Sequence, residues 1–197
     1  MAVLSNRPAR VGRRMVLALA FAAVLSGPAA AATVTINVDR RDDVIVIEAD
    51  AVLDSDPATA WRVLTDYDRY VEFLPDVKSS RVVARRGREV TVRQTSDATF
   101  WLLRAPVEIT YQIVEDPPSG LRSRAVSGPL ATLESSYTLT PSGDGLRLHY
   151  EGRIGWSVEF VGPLEANEKR AARQFRALVE EMEQASAGVR RSRNGDS

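Results

Sequence analysis

Gly145-Leu146-Arg147-Leu148-His149-Tyr150-Glu151-Gly152-Arg153-Ile154-Gly155-Trp156 changes character at nearly every step. In an extended strand successive side chains point to opposite faces. Leu146, Leu148, Tyr150, Gly152, Ile154 and Trp156 therefore share one face, and Arg147, His149, Glu151 and Arg153 the other. Two more stretches divide in the same way. Val107, Ile109, Tyr111 and Ile113 oppose Glu108, Thr110 and Gln112, while Leu133, Ser135, Tyr137 and Leu139 oppose Thr132, Glu134, Ser136 and Thr138. Such alternation is the mark of antiparallel strands with one side on a core and the other in water. The core-facing sets carry no charge and no histidine, but they carry Tyr111, Tyr137 and Tyr150. Burying a tyrosine ring contributes about 2 kcal/mol or more of transfer free energy, and its hydroxyl then needs a partner. Those rings are either satisfied inside an ordinary core or aimed at a bound molecule in an apolar cavity with a few polar handles.

Outward from these strands, the same reading gives further strands at 34–38, 44–53, 79–86, 89–96 and 121–127, and extends the three above to 102–115, 131–140 and 145–156. Arg40-Arg41-Asp42-Asp43, Arg86-Gly87, Asp116-Pro117-Pro118-Ser119-Gly120, Gly128-Pro129 and Ser142-Gly143-Asp144-Gly145 punctuate them. Connections this short join antiparallel neighbours. Asp56-Pro57 reads as an N-cap with proline at the first helical position, opening a short helix with Trp61 and Leu64 inward. Asp66 is placed to cap a second short helix, Tyr67 to about Phe73, which Pro75 stops. Gly162-Pro163 opens a long helix to about Ala185, with Ala171, Ala172, Phe175, Leu178, Val179 and Met182 as its apolar stripe. Strands grouped together with segregated helices make an α+β fold, and the stripe of the last helix has the apolar face of the sheet to cover.

The first 32 residues read as an address. Arg7, Arg10, Arg13 and Arg14 precede the apolar run Met15–Leu25, then Ser26-Gly27-Pro28 and the small residues Ala29–Ala32. This is the pattern of a signal peptide cut near Ala32/Thr33. Its apolar run is well short of the ~20 residues that span a bilayer, which disfavours an uncleaved anchor. Arg13-Arg14 alone is a weak twin-arginine signal, so general secretion is the default and the route stays open. The expected organisation is residues 1–32 removed, one domain over 33–187, and a polar, basic, disordered tail over 188–197. With no cysteine to form disulfides, the periplasm is the expected compartment.

Composition excludes much chemistry. The 197 residues contain no Cys and one His, which rules out thiolate and multi-histidine metal sites, iron–sulfur clusters and cysteine nucleophiles. Lys+Arg and Asp+Glu both number 26, so no basic field suits the chain to nucleic acid, and loss of the first 32 residues would leave it mildly acidic. The G-x-S-x-G elbow, phosphate-binding loop and H-E-x-x-H motifs are absent. His149 falls on the solvent face, out of reach of any inward serine, and parity places no carboxylate in the presumed cavity. No catalytic residue, metal ligand or cofactor is expected.

The run Ala60-Trp61-Arg62-Val63-Leu64-Thr65-Asp66-Tyr67, with Tyr70, Phe73-Leu74-Pro75 and Val77-Lys78-Ser79-Ser80, carries a resemblance. Val114-Glu115-Asp116-Pro117-Pro118, Gly128, Gly145-Leu146-Arg147-Leu148 and Tyr150 continue it. This distributed pattern, from Val44 to Glu183, resembles the START-like superfamily, and within it the branch of polyketide cyclase/dehydrase and coenzyme-Q-binding proteins. The resemblance implies a helix-grip fold, in which a curved antiparallel sheet wraps the C-terminal helix around a cavity for a lipid, quinone, sterol or polyketide. Such relatives share no universal catalytic motif, so none is carried over. The family's pocket positions map onto Phe73 and Leu74, Trp101, Ile109 with the inward Tyr111, Tyr137 and Tyr150, and Phe175 and Leu178. The start of the grip helix, Glu165-Ala166-Asn167-Glu168-Lys169-Arg170, is more charged than a greasy entrance, which weighs against transient membrane contact through that element. The expectation is a non-enzymatic, exported binding or carrier protein for a hydrophobic small molecule, with no nucleic-acid partner. A cyclase or aromatase acting by holding a reactive chain in one conformation, and an envelope protein-interaction module, are the alternatives. Ligand identity and oligomeric state are left open.

Overall fold

The computed structural model describes residues 32–100, 103–156 and 164–195. Among these residues eight strands form one antiparallel sheet in the order β1-β2-β8-β7-β6-β5-β4-β3. The strands are β1 (Thr33–Arg41), β2 (Val44–Leu53), β3 (Val77–Arg86), β4 (Glu89–Phe100), β5 (Leu103–Asp116), β6 (Gly120–Ser127), β7 (Leu130–Ser142) and β8 (Gly145–Trp156). Helix α1 (Pro57–Thr65) and a 3-10 turn (Tyr67–Arg69) that runs into α2 (Tyr70–Phe73) lie between β2 and β3, and α3 (Leu164–Gly195) closes the chain. Consecutive strands from β3 onward pair with their neighbours, whereas β8 returns to β2, so the first hairpin joins the end of the meander. No described helix is long and apolar enough to cross a membrane.

Side-chain parity accounts for where the core lies. Leu146 and Leu148 of β8, Val90 and Val92 of β4, and Leu139 of β7 are buried on the inner face, with Arg147, Glu151 and Arg153 exposed on the outer one. Phe175, Leu178, Val179 and Met182 of α3 pack into the same cluster as Leu53, Leu64 and Leu148. The helix spacing puts those four residues on one side, and that side covers the sheet. The curved antiparallel sheet and long C-terminal helix make the helix-grip architecture.

Local signals explain the element ends. Asp56 sits in extended backbone and its carboxylate accepts a 2.9 Å bond from Thr59 N, with Pro57 beginning α1 as its fixed φ favours. That backbone N–H bond holds the Asp56 carboxyl below its ordinary value. A depressed folded-state pKa stabilises above the unfolded value and loses its effect as pH falls through the folded one. Asp56→Ala is therefore expected to cost about 1 kcal/mol at neutral pH. The gap between variant and parent should close on acidification below the carboxylate range, as read by urea unfolding at several pH values.

Two boundary expectations are corrected. Asp66 makes no side-chain cap bond; its carboxylate lies 3.7 Å from Arg69 instead. The C-terminal helix does not end near Ala185 but continues to Gly195. Ser186 Oγ meets Ser55 Oγ at 2.6 Å and Arg190 donates to Asp54 at 2.9 Å, so the extra turns are tied to the β2–α1 junction. Of the expected signal segment over residues 1–32, residues 1–31 lie outside the described residues.

Candidate ligand cavity

The inner face of the sheet and α3 do not meet everywhere. A cavity of about 250 Å³ remains between them, with β2, β7 and β8 on one side and β4 and β5 on the other. Ile47, Ala49, Leu133 and Ile154 supply an apolar wall, and α3 closes the space with Ala171 and Phe175. Ile109, Tyr111, Tyr137, Tyr150 and Phe175 of the expected set are brought together here. The other expected positions are not. Leu178 is 3% exposed in the solid core, and Phe73 and Leu74 pack against that core away from the cavity. Trp101 lies outside the described residues.

The tyrosines form the polar part of the sheet wall. Tyr137 and Tyr150, paired across β7 and β8, have ring centroids 4.8 Å apart, and Tyr150 is 6.4 Å from Phe175. Burial pushes the Tyr150 hydroxyl up to about 12, opposed by its hydrogen bond with Ser135. Burial likewise raises Tyr111 and Tyr137 above the ordinary tyrosine value. All three rings keep their protons at neutral pH.

Gly152 explains how Tyr150 reaches Ser135. Ser135 is the register partner of Gly152, two residues beyond Tyr150 on the same face. A Cβ on Gly152 would stand 2.8 and 3.0 Å from two ring carbons of Tyr150, so the ring lies along its own strand over the glycine. From there Ser135 is within reach, and Ser135 Oγ continues to Ser123 Oγ at 2.8 Å. Gly152→Ala is expected to swing the ring off Ser135 into the cavity. The expected loss is about 1–3 kcal/mol, the usual cost of overpacking, seen as a lower unfolding midpoint together with a changed tyrosine absorption band.

The sequence reading missed the other polar wall. Gln94 and Ser96 of β4 line the cavity with Asn167, Arg170 and Gln174 of α3. The strand residues share the parity of buried Val90 and Val92, so alternation could have placed them inside. Asn167, Arg170 and Gln174 follow one another at three- and four-residue spacing, beside Ala171 and Phe175 on the rim of the apolar stripe. The charge-free strand faces are thus completed by a helix that brings a guanidinium to the cavity. Glu115, on the same parity as Ile113, is 7% exposed and accepts from Tyr67 in the core, and it does not line the cavity.

A wider groove of about 530 Å³ lies on the outer face, lined by Arg122, Arg124, Glu134, Glu151 and Arg153. Opposite charges sit there in cross-strand register, as Arg124 with Glu134 and Glu134 with Arg153, and all five side chains are exposed. It is a solvated charged surface, and the internal cavity is the candidate site. His149 stands on that outer face, with Nδ1 3.2 Å from Asp50 and Nε2 3.4 Å from Glu151.

A family model described as polyketide cyclase / dehydrase and lipid transport matches residues 53–185. The chain belongs to that family. The matched span includes the cavity-lining residues of this polyketide cyclase/dehydrase and lipid transport domain on β4, β5, β7, β8 and α3, and excludes Ile47 and Ala49 of β2. Solved structures agree on the fold. A protein from Thermus thermophilus is 19% identical with a TM-score of 0.61, over 73% of this chain and 98% of its own. A STAR-related lipid transfer protein from Xanthomonas axonopodis is 16% identical with a TM-score of 0.57, over 75% of this chain and 98% of its own. The di-domain ARO/CYC protein BexL of the BE-7585A biosynthetic pathway is 10% identical with a TM-score of 0.61, over 75% of this chain and 51% of its own. Among curated proteins there is no match.

Proposed function

We propose that this member of the family is a binding or carrier protein that holds a hydrophobic small molecule between its sheet and α3, and does not transform it. The cavity itself carries the reading: about 250 Å³ walled by aliphatic and aromatic side chains, with a few convergent polar groups, is the make-up of a small-molecule site. Lipid transport in the family description and a lipid transfer protein among its structural neighbours support the same class of guest.

We place the protein in the periplasm, reached by cleavage of residues 1–32. The basic segment and apolar run before Ala29–Ala32 support this, and β1 begins at Thr33. Amino-terminal sequencing of the protein from fractionated cells should start at Thr33. A mature chain that keeps Met15–Leu25 would overturn the assignment. For the guest, native mass spectrometry of gently purified protein with solvent extraction should find a bound apolar compound. An empty chain that binds neither lipid nor quinone at micromolar concentration would overturn the carrier reading.

A further inference from the structure

The two walls of the cavity differ in kind. The β2, β7 and β8 side offers Ile47, Ala49, Leu133 and Ile154 with the rings of Tyr137 and Tyr150, whereas the β4 and α3 side offers Gln94, Ser96, Asn167, Arg170 and Gln174. Asp76 stands behind that polar side with its side chain only 11% exposed. One carboxylate oxygen there, Asp76 Oδ2, faces three donors: Arg170 Nε at 3.4 Å, Arg173 Nη2 at 3.3 Å and Gln174 Nε2 at 3.2 Å. Two guanidiniums thus share one carboxylate. The next charges along the chain, Lys78 and Asp97, pair with each other at 3.1 Å and cancel. Among the described residues the cluster keeps one surplus positive charge.

That surplus belongs at the cavity. Arg173 is 52% exposed and does not line it, so water screens its charge. Arg170 is 35% exposed and does line it. Its contact with Asp76 is through Nε at the edge of bonding distance, and among the described residues no other acceptor is on its terminal N–H fork. The field of Arg170 reaches across the space and lowers the pKa of Tyr111 against the effect of burial. Beside it, Ser80 Oγ, the register partner of Gln94, is buried with no hydrogen-bond partner among the described residues.

We propose that the guest is a small amphipathic monoanion, its carboxylate seated on Arg170 with Gln94 and Ser96 beside it and its apolar body lying against β2, β7 and β8. This rests on the carrier reading and adds the chemical class of the guest. A carboxylate fits because a guanidinium fork binds its two oxygens side by side. A single negative charge fits because the cluster carries a single uncompensated positive one. A space of about 250 Å³ has room for one short chain or a ring pair.

Octanoate and octan-1-ol, equal in chain length and different in head, separate the outcomes at pH 7.5 by calorimetric titration of the mature protein. Octanoate should bind about tenfold more tightly than the alcohol. R170Q should abolish the preference for octanoate over the alcohol, whereas R173Q should keep the preference and R170K should keep part of it. Equal binding of acid and alcohol by the parent protein, which needs no variant to fold, overturns the monoanion assignment and leaves the carrier reading standing. A preference that survives in R170Q also overturns it. Binding of neither compound, together with an empty solvent extract, overturns the carrier reading itself.

Discussion

Glu115→Ala is expected to destabilise the domain by about 3 kcal/mol, the lower end of the cost of breaking a buried charged pair. Glu115 lies at the inner end of β5, 7% exposed, and uses both carboxylate oxygens. Oε1 accepts from the Tyr67 hydroxyl at 3.0 Å and Oε2 from Arg85 Nη1 at 2.9 Å. Tyr67 is 1% exposed, so losing its acceptor strands a hydroxyl that water cannot reach. Arg85 is 47% exposed and recovers water in place of the carboxylate, which keeps the loss from being larger. Burial and the negative field of Glu115 together hold the Tyr67 proton on far above the ordinary tyrosine range, so Tyr67 is a donor throughout. Glu115→Gln keeps an acceptor for that donor and should cost about 1 kcal/mol. Adding Tyr67→Phe to Glu115→Ala should recover part of the loss, because donor and acceptor are then both gone. Urea unfolding of the four proteins measures this directly. A Glu115→Ala loss below about 0.5 kcal/mol would show that the bond to Tyr67 carries no weight.

The second large effect concerns the cavity. Ala171→Trp should abolish uptake of a small apolar guest, lowering affinity by about a hundredfold or more, while the fold survives. Ala171 is half-buried on α3 and lines the space beside Phe175. An indole there occupies room that the guest would take, and it is placed against Ile47 and Ala49, where an apolar ring is at home. Cores accept added bulk with loss only when no space exists; here the space exists. An unfolding midpoint within a few degrees of the parent, together with lost binding of octan-1-ol, is the expected pair of results. Unchanged binding would place the guest elsewhere.

Alternation and helical spacing were enough to read most of the architecture. β2 and β8 begin and end where the pattern puts them, and Asp56-Pro57 starts α1 as a cap and a fixed φ require. The inward assignment of Ile109, Tyr111, Tyr137 and Tyr150 follows from parity, because a slip of one residue would turn Arg147 and Glu151 into the core. What a period cannot supply is which strand lies opposite which helix turn. Asp76 and Arg173 are 97 residues apart in the chain, and their meeting depends on where α3 lies beside the junction of α2 and β3. The polar half of the cavity was hidden for that reason, although Gln94 and Ser96 carried a readable parity. Phe73 and Leu74 show the converse. The resemblance pointed to them, and in this chain they pack against the core cluster and do not line the cavity. The long reach of α3 to Gly195 was also hidden, since Arg190 gains its partner Asp54 only once the helix lies beside the β2–α1 junction.

An isotope-filtered NOE spectrum of labelled protein with unlabelled octanoate tests the central claim most directly. The acyl protons should show cross-peaks to Ile109, Tyr137, Tyr150 and Phe175, and none to the exposed outer-face residues around Arg124 and Glu151. Cross-peaks confined to that outer face, or none to the four inner residues at saturating ligand, would contradict it.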